Sequence, residues 1–403
     1  MFQDNLADSF SFLGLIPLIL SLFGFLLALW IVIPAPNMFL LRLGVGAPEI
    51  SPLLIIVNAI ALLLGIVSIG SWYFAIIMIC SSIALLLSLL PLSQFSATSD
   101  RFGAEMAKAW GENYLENIPL QVRNQMRPFP FLLKDFFRGI PKTEVRIERG
   151  IIFASPDGVD LKLNVYRPLK TGKYPTLVVI YGGAWRSGSP DGYEDFNCYL
   201  AARDYCVIAV DYRHAPKYKF PAQLEDVTAA LKYIRDRSEE LEVDRERMAV
   251  MGRSAGGHLA LLSAYQQNAV PLRAVVKYYG PVNLTKGYYD PPVPNPINSK
   301  NVMENFLGGS PEEFFELYQK ASPITYTRPN LPPTLLIYAG RDHLTQPKFG
   351  KDIEAKLKDN KNIAIRLEIP WAEHSFDAVF SGLSNQLALY YTERFLAIAL
   401  KSN

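Results

Sequence analysis

Between Asp8 and Arg42 the chain carries no Asp, Glu, Lys or Arg, and it carries none between Glu49 and Asp100. Across the first hundred residues only Asp4, Asp8, Arg42, Glu49 and Asp100 are charged. Three apolar runs in so uncharged a block are hard to bury inside a water-soluble domain, so lipid is the expected surrounding. Phe10 to Ile33 is nearly all Leu, Ile, Phe, Val and Ala. About 20 such residues, at a rise of about 1.5 Å each, cross a hydrocarbon core of about 30 Å. Ile50 to Ser99 would be about 75 Å long as one helix, too long for one crossing, so it must fold back. Gly70-Ser71 is a weak helical point, and Trp72-Tyr73 supply rings suited to the headgroup level. The expectation is an all-α transmembrane region over residues 1–99, of about three helices spanning 10–33, 52–69 and 72–91.

A cleaved signal peptide fits the first span poorly. Asp4 and Asp8 stand where Lys or Arg would be needed, and the apolar run exceeds a signal h-region. With three spans, Arg42, Arg101 and Lys108 lie on the side of the remaining chain, which the positive-inside rule then places in the cytoplasm of a multi-pass protein. Residues 100–142 read as an amphipathic connector or cap. They are helical around Arg101–Glu116, then rich in rings and Pro over Arg127–Arg138, suited either to the membrane interface or to bracing the following domain.

From Thr143 to Asn403 the pattern changes to short β-branched runs alternating with helical stretches, which predicts a mostly parallel sheet with helices on both faces. The eight expected strands are 145–153, 159–166, 176–181, 206–211, 247–251, 273–279, 334–339 and 363–369. Helices are expected at 193–203, 221–238, 255–266, 345–358 and 384–400. Pro281–Pro333, long and dotted with aromatics, reads as an insertion of the lid or specificity-loop kind. The formal net charge of the chain is +2. Its basic residues are too scattered for nucleic-acid recognition, which clusters Lys and Arg on one face. Cys80, Cys198 and Cys206 form no C-x-x-C pair and no disulfide framework, and no metal or cofactor is expected.

The sharpest motif is Met251-Gly252-Arg253-Ser254-Ala255-Gly256, a G-x-S-x-G set between an apolar strand and a small-residue helix. A serine on so sharp a turn sits in strained backbone, and glycines two residues away on each side let the flanking elements approach. The helix N-terminus directs free N–H groups at the reacting oxygen. A serine hydroxyl needs a base and an orienting acid, which follow such a turn in the order Asp or Glu, then His. Of four histidines, His214 and His258 come too early, and His343 adjoins the acid candidate. His374 remains, in a loop beyond the last expected strand. The acid is Asp342, just past the strand ending at Ala339-Gly340. Glu373, next to the base, and Asp377 are less suitable. Leu177–Tyr181 followed by Gly182-Gly183-Ala184 supplies a strand running into a glycine turn, where an oxyanion hole is needed.

These residues, with Asp211-Tyr212-Arg213-His214-Ala215-Pro216 and Phe220-Pro221-Ala222-Gln223-Leu224-Glu225-Asp226, resemble the hormone-sensitive-lipase-like and feruloyl-esterase-like branches of the α/β-hydrolases. The resemblance covers about 145–400. It implies an α/β-hydrolase fold, Ser254, Asp342 and His374 as catalytic residues, and backbone N–H groups of Gly183, Ala184 and Ala255 as the oxyanion hole. It also implies that Asp211 and Arg213 brace the site. Tyr181 replaces the family's histidine before the glycines, which should alter how that loop is pinned. The implied activity is hydrolysis of a carboxylic ester, small or lipid, through an acyl-enzyme. An amidase or peptidase could use the same residues, and an inert membrane scaffold would be expected to have lost one of them.

Overall fold

The structure is a computed structural model that describes residues 2–402. Four helices come first: α1 (Phe2–Leu29), α2 (Met38–Glu49), α3 (Ser51–Gly65) and α4 (Phe74–Trp110). Two helical stretches, Ser51–Ser68 and Phe74–Trp110, are long and apolar enough to cross a membrane, and Leu15–Leu29 is a shorter apolar helix. Of the expected span 10–33, the side chains of residues 10–14 lie outside the described residues, and the helix ends at Leu29. The expected reversal is present: a single 3-10 turn, Ile66–Ser68, leads into Gly70 at φ 91°, a conformation glycine adopts without a Cβ penalty. α1, α3 and α4 pack together, with Ala28, Leu54 and Ala84 buried where they meet. Small residues there let the backbones approach. Their outward faces are apolar and bare: Phe23, Leu26, Leu63, Ile79 and Leu86 are each more than half exposed.

The helix that carries the last expected span does not stop at residue 91. α4 runs through Pro91 to Trp110 without a break. Its continuation is held by tertiary packing, since Phe95 lies against Phe131 and Trp371, and Phe102 against Tyr391. After two short helices, α5 (Leu120–Gln125) and α6 (Leu133–Arg138), the chain enters the sheet. The stretch from Arg127 braces the sheet domain. Arg127 is buried, donates to Gln386 (2.5 Å) and pairs with Asp135 (3.0 Å), while its N–H donates to Glu393 (3.0 Å). Phe129, Leu133 and Phe137 remain exposed beside it.

The sheet has eight strands, as expected: β1 (Arg146–Ala154), β2 (Leu161–Arg167), β3 (Tyr174–Ile180), β4 (Cys206–Val210), β5 (Val243–Arg253), β6 (Ala274–Tyr278), β7 (Thr334–Ala339) and β8 (Ala364–Ile369). Their order is β1-β2-β4-β3-β5-β6-β7-β8, with only β1–β2 and β2–β4 antiparallel. β2, β3, β4, β6 and β7 are almost wholly buried, as is β5 from Met248 onward, as strands covered on both faces must be. Eight α-helices follow among the described residues: α7 (Glu194–Ala201), α8 (Ala222–Asp236), α9 (Ala255–Tyr265), α10 (Leu284–Tyr289), α11 (Ser299–Leu307), α12 (Phe315–Lys320), α13 (Lys348–Asp359) and α14 (Leu383–Lys401). One face of the sheet is covered by α8, α9, α13 and the 281–333 insertion; the other by α7, α14 and the end of α4. β3 leads to β4 on one side and pairs with β5 on the other, so the chain reverses its direction of travel across the sheet there. Such a switch point opens a crevice at the strands' carboxyl ends.

Candidate active site

Ser254 follows β5 at that crevice, with φ 51° and ψ −122°, a strained conformation for a residue with a side chain. The turn closes only around glycine. A Cβ on Gly252 would lie 2.1 Å from the Gly256 carbonyl oxygen, and one on Gly256 would lie 2.2 Å from that of Ile180. α9, which starts at the next residue, is buried along its whole length, so the nucleophile turn has a rigid backing.

Ser254, His374 and Asp342 meet although 120 residues separate the first two. His374 Nε2 lies 2.9 Å from Ser254 Oγ, and its Nδ1 lies 2.8 Å from Asp342 Oδ2. A carboxylate only accepts, so Nδ1 carries the proton and Nε2 faces the hydroxyl as an acceptor. Asp342 is fixed in turn: its Oδ1 accepts from the N–H groups of Leu344 (2.8 Å) and Thr345 (2.6 Å). Both Asp342 and His374 are buried, and Ser254 is half-buried at the edge of a cavity.

Gly183, Ala184 and Ala255 surround the same point. Gly183 has φ 137° and Ala184 φ 54°, which turn the β3 loop over the crevice. The N–H groups of Gly183 and Ala184 meet no acceptor among the described residues, and that of Ala255, first in its helix, has no intrahelical partner. Tyr181, where the family histidine was expected, pins the loop by its phenol, which donates to Asp211 (2.5 Å) and lies 2.9 Å from His214 Nε2. Its ring stacks on Tyr212. Arg213 lies farther out, bonded to Asp226 and Asp157, and holds the following loop.

Several supporting residues were not anticipated. Glu373 accepts from the backbone N–H of both His343 and His374 (2.8 Å each) and from the His343 ring, so it joins the acid loop to the base loop. Arg253, a large cation inside the serine motif, is the one signal of a second network. It is fully buried between Tyr193 and Phe196 and pairs with Asp377, which also accepts from the Tyr279 hydroxyl. Burial, followed by the Asp377 charge, holds the Tyr279 phenol well above its ordinary pKa, so it stays a donor. Tyr279 packs edge-on against the His374 ring. His258 is fully buried. Its Nδ1 accepts from Trp185 Nε1 (3.1 Å) and its Nε2 donates to the Ala321 carbonyl (2.6 Å), tying the glycine loop to the insertion.

The cavity beside Ser254 has a volume of about 360 Å³, in the range of small-ligand sites. Val282, Leu284, Ile297, Val302 and Met303 of the insertion form much of its wall, and Met38 of α2 lines it as well.

The family profile BD-FAE matches residues 163–357. A curated relative, "Probable carboxylic ester hydrolase LipM" of Mycobacterium tuberculosis, is 27% identical over 242 residues, covering 56% of this chain and 55% of that one. The solved structure titled "Bacterial Heroin Esterase" superposes with a TM-score of 0.56 at 26% identity, over 64% of this chain and 84% of the other. The chain has the α/β-hydrolase fold and is similar to its esterase branch. "AB hydrolase superfamily protein C1039.03" of Schizosaccharomyces pombe shares that fold name, with 25% identity over 281 residues, 66% of this chain and 74% of its own. This α/β-hydrolase chain spans little more than half the length of its mycobacterial relatives.

Proposed function

We propose that the chain is a membrane-anchored serine hydrolase that cleaves a carboxylic ester through an acyl-enzyme. The observation that carries this reading is the hydrogen-bonded run Ser254–His374–Asp342, set beside three unengaged backbone donors. Ser254 Oγ attacks the acyl carbon while His374 Nε2 takes its proton, and Asp342 orients the imidazole and stabilises its cation. Negative charge gathering on the carbonyl oxygen is met by the N–H groups of Gly183, Ala184 and Ala255. His374 then protonates the leaving alcohol, and water activated by the same imidazole releases the acid. The ester-hydrolase names of the mycobacterial and bacterial relatives support the ester over an amide. An inert scaffold would have no need of this geometry.

The bare apolar faces of α1, α3 and α4 support a multi-pass anchor in residues 1–99, with spans ending near 33, 69 and 91. Residues 100–142 act as the brace and 143–403 as the catalytic domain, with 281–333 as its cap. Arg42, Arg101 and Lys108 favour a cytoplasmic catalytic domain. The test is fluorophosphonate labelling of the full chain in detergent, with ester turnover measured alongside. Ser254→Ala should abolish both while leaving the thermal transition unchanged, and wild-type labelling or turnover in that variant would sink the assignment.

A further inference from the structure

Met38 opens α2, yet it lines the same cavity as Ser254 and His374. A helix of the apolar block therefore forms part of the wall of a site otherwise built by the sheet domain. The helix is capped at one end and tied to the sheet domain at the other. At the N-terminus, the Asn37 side chain caps α2 by accepting from Leu40 N–H (3.0 Å). At the C-terminus, the buried Glu49 accepts from the N–H of Ser384 at the start of α14 (2.8 Å). A Cβ on Gly382 would lie 2.4 Å from that carboxylate, so the contact is close.

α2 is also the link between α1 and α3, and lies where their bundle meets the sheet domain, since Ala47 packs with Ala28, Leu54 and Ala84. Val32 and Ile33, in the link between α1 and α2, are both more than a third exposed. Next to Met38, Phe39 is 74% exposed. Val293, beside the cavity residue Pro292, is 90% exposed. Large apolar side chains left bare cost free energy in water that they do not cost in lipid, and Met38, itself 44% exposed, is bare where it lines the cavity.

We propose that the cavity takes its substrate from the bilayer, across a threshold formed by Met38 and Phe39, and that this substrate is an ester whose apolar chain resides in the membrane. The inference rests on the hydrolase reading and adds the substrate class and its route. An apolar chain that moved from lipid along Phe39 and Met38 to the cavity would never be fully exposed to water, whereas a soluble ester has no need of that path. Met38 is on this reading a specificity residue that touches the chain near the mouth, while Ser254 and its partners act on the acyl carbon.

The test uses the full chain reconstituted in phosphatidylcholine vesicles with two esters sharing one leaving group: 4-methylumbelliferyl butyrate in the buffer and 4-methylumbelliferyl palmitate in the bilayer. Met38→Glu and Phe39→Glu place a carboxylate on the threshold, where a passing apolar chain must go around it or desolvate it. The palmitate-to-butyrate ratio of kcat/KM should fall at least about tenfold in Met38→Glu, and in the same direction in Phe39→Glu. Retained fluorophosphonate labelling of Ser254 would show that the fold survives. An unchanged ratio in both variants, or a wild type that cleaves butyrate but not palmitate, overturns the proposal and leaves the hydrolase reading standing. A wild type that cleaves neither and does not label removes the hydrolase reading and the proposal together.

Discussion

Acidification from pH 8 to pH 5 should loosen the joint between the glycine loop, the nucleophile helix and the insertion, because His258 sits at their junction. Trp185 Nε1 can only donate, so His258 Nδ1 must accept, and the single ring proton is on Nε2 facing Ala321. A second proton would set N–H against N–H. Burial lowers the His258 pKa from 6.5 to about 4. The folded value lies below the unfolded one, so the unfolded chain binds the proton more readily. The stability contribution is whole above pH 6.5 and is lost progressively as the pH falls towards 4. At about 1.36 kcal/mol per pKa unit the full loss is on the order of 3 kcal/mol, and on the order of 2 kcal/mol of it is reached at pH 5. For a domain of this size each kcal/mol moves Tm by roughly 2–4 °C, which gives a shift of roughly 4–8 °C. The assay is thermal unfolding of the full chain in detergent, followed by tryptophan fluorescence, for wild type and His258→Gln. Glutamine can accept from Trp185 and donate to Ala321 without titrating, and every other titrating group is common to both proteins. The wild type should therefore lose roughly 4–8 °C more than the variant between the two pH values. Equal losses would refute the argument.

His374→Ala and Asp342→Asn should each lower kcat by orders of magnitude, and the double variant should be little worse than His374→Ala alone, because the three residues act as a unit. Kinetics on a soluble ester decide it, and multiplicative losses would count against a single run. Arg253→Met leaves Asp377 buried without its cation, so stability should fall by about 3–5 kcal/mol. Chemical denaturation measures this, and a loss below about 1 kcal/mol, the scale of an exposed pair, would mean the pair contributes little.

The strands were legible because each is a short β-branched run bounded by turn residues, and burial on both faces makes such runs almost continuous in Val, Ile and Leu. Strand edges moved by a residue or two. β5 begins four residues before its expected start, at Val243, where polar Asp244, Arg245 and Glu246 hide the pattern. The serine turn was legible for a different reason. Its glycines are demanded by backbone contacts of about 2 Å that any Cβ would make, so local composition records a tertiary constraint. His374 and Asp342 could be named by elimination and by their place after strands. The partners that hold them could not, since Glu373 was judged only as a rival acid and Asp377 as part of a helix.

What the sequence determined by itself was therefore the order of elements, the division into an uncharged apolar block and an α/β region, and the residue types able to do acyl transfer. All of these follow from short-range rules: the length and charge of an apolar run, the period of a strand, the backbone freedom of glycine. Only the tertiary structure decided that α4 continues past Pro91 into the sheet domain, that Arg253 finds Asp377, and that Met38 of α2 reaches the cavity of Ser254. Each of these joins residues far apart in the chain through packing or a buried charge pair. The free energy of such contacts depends on what the fold places opposite, and no local pattern encodes that.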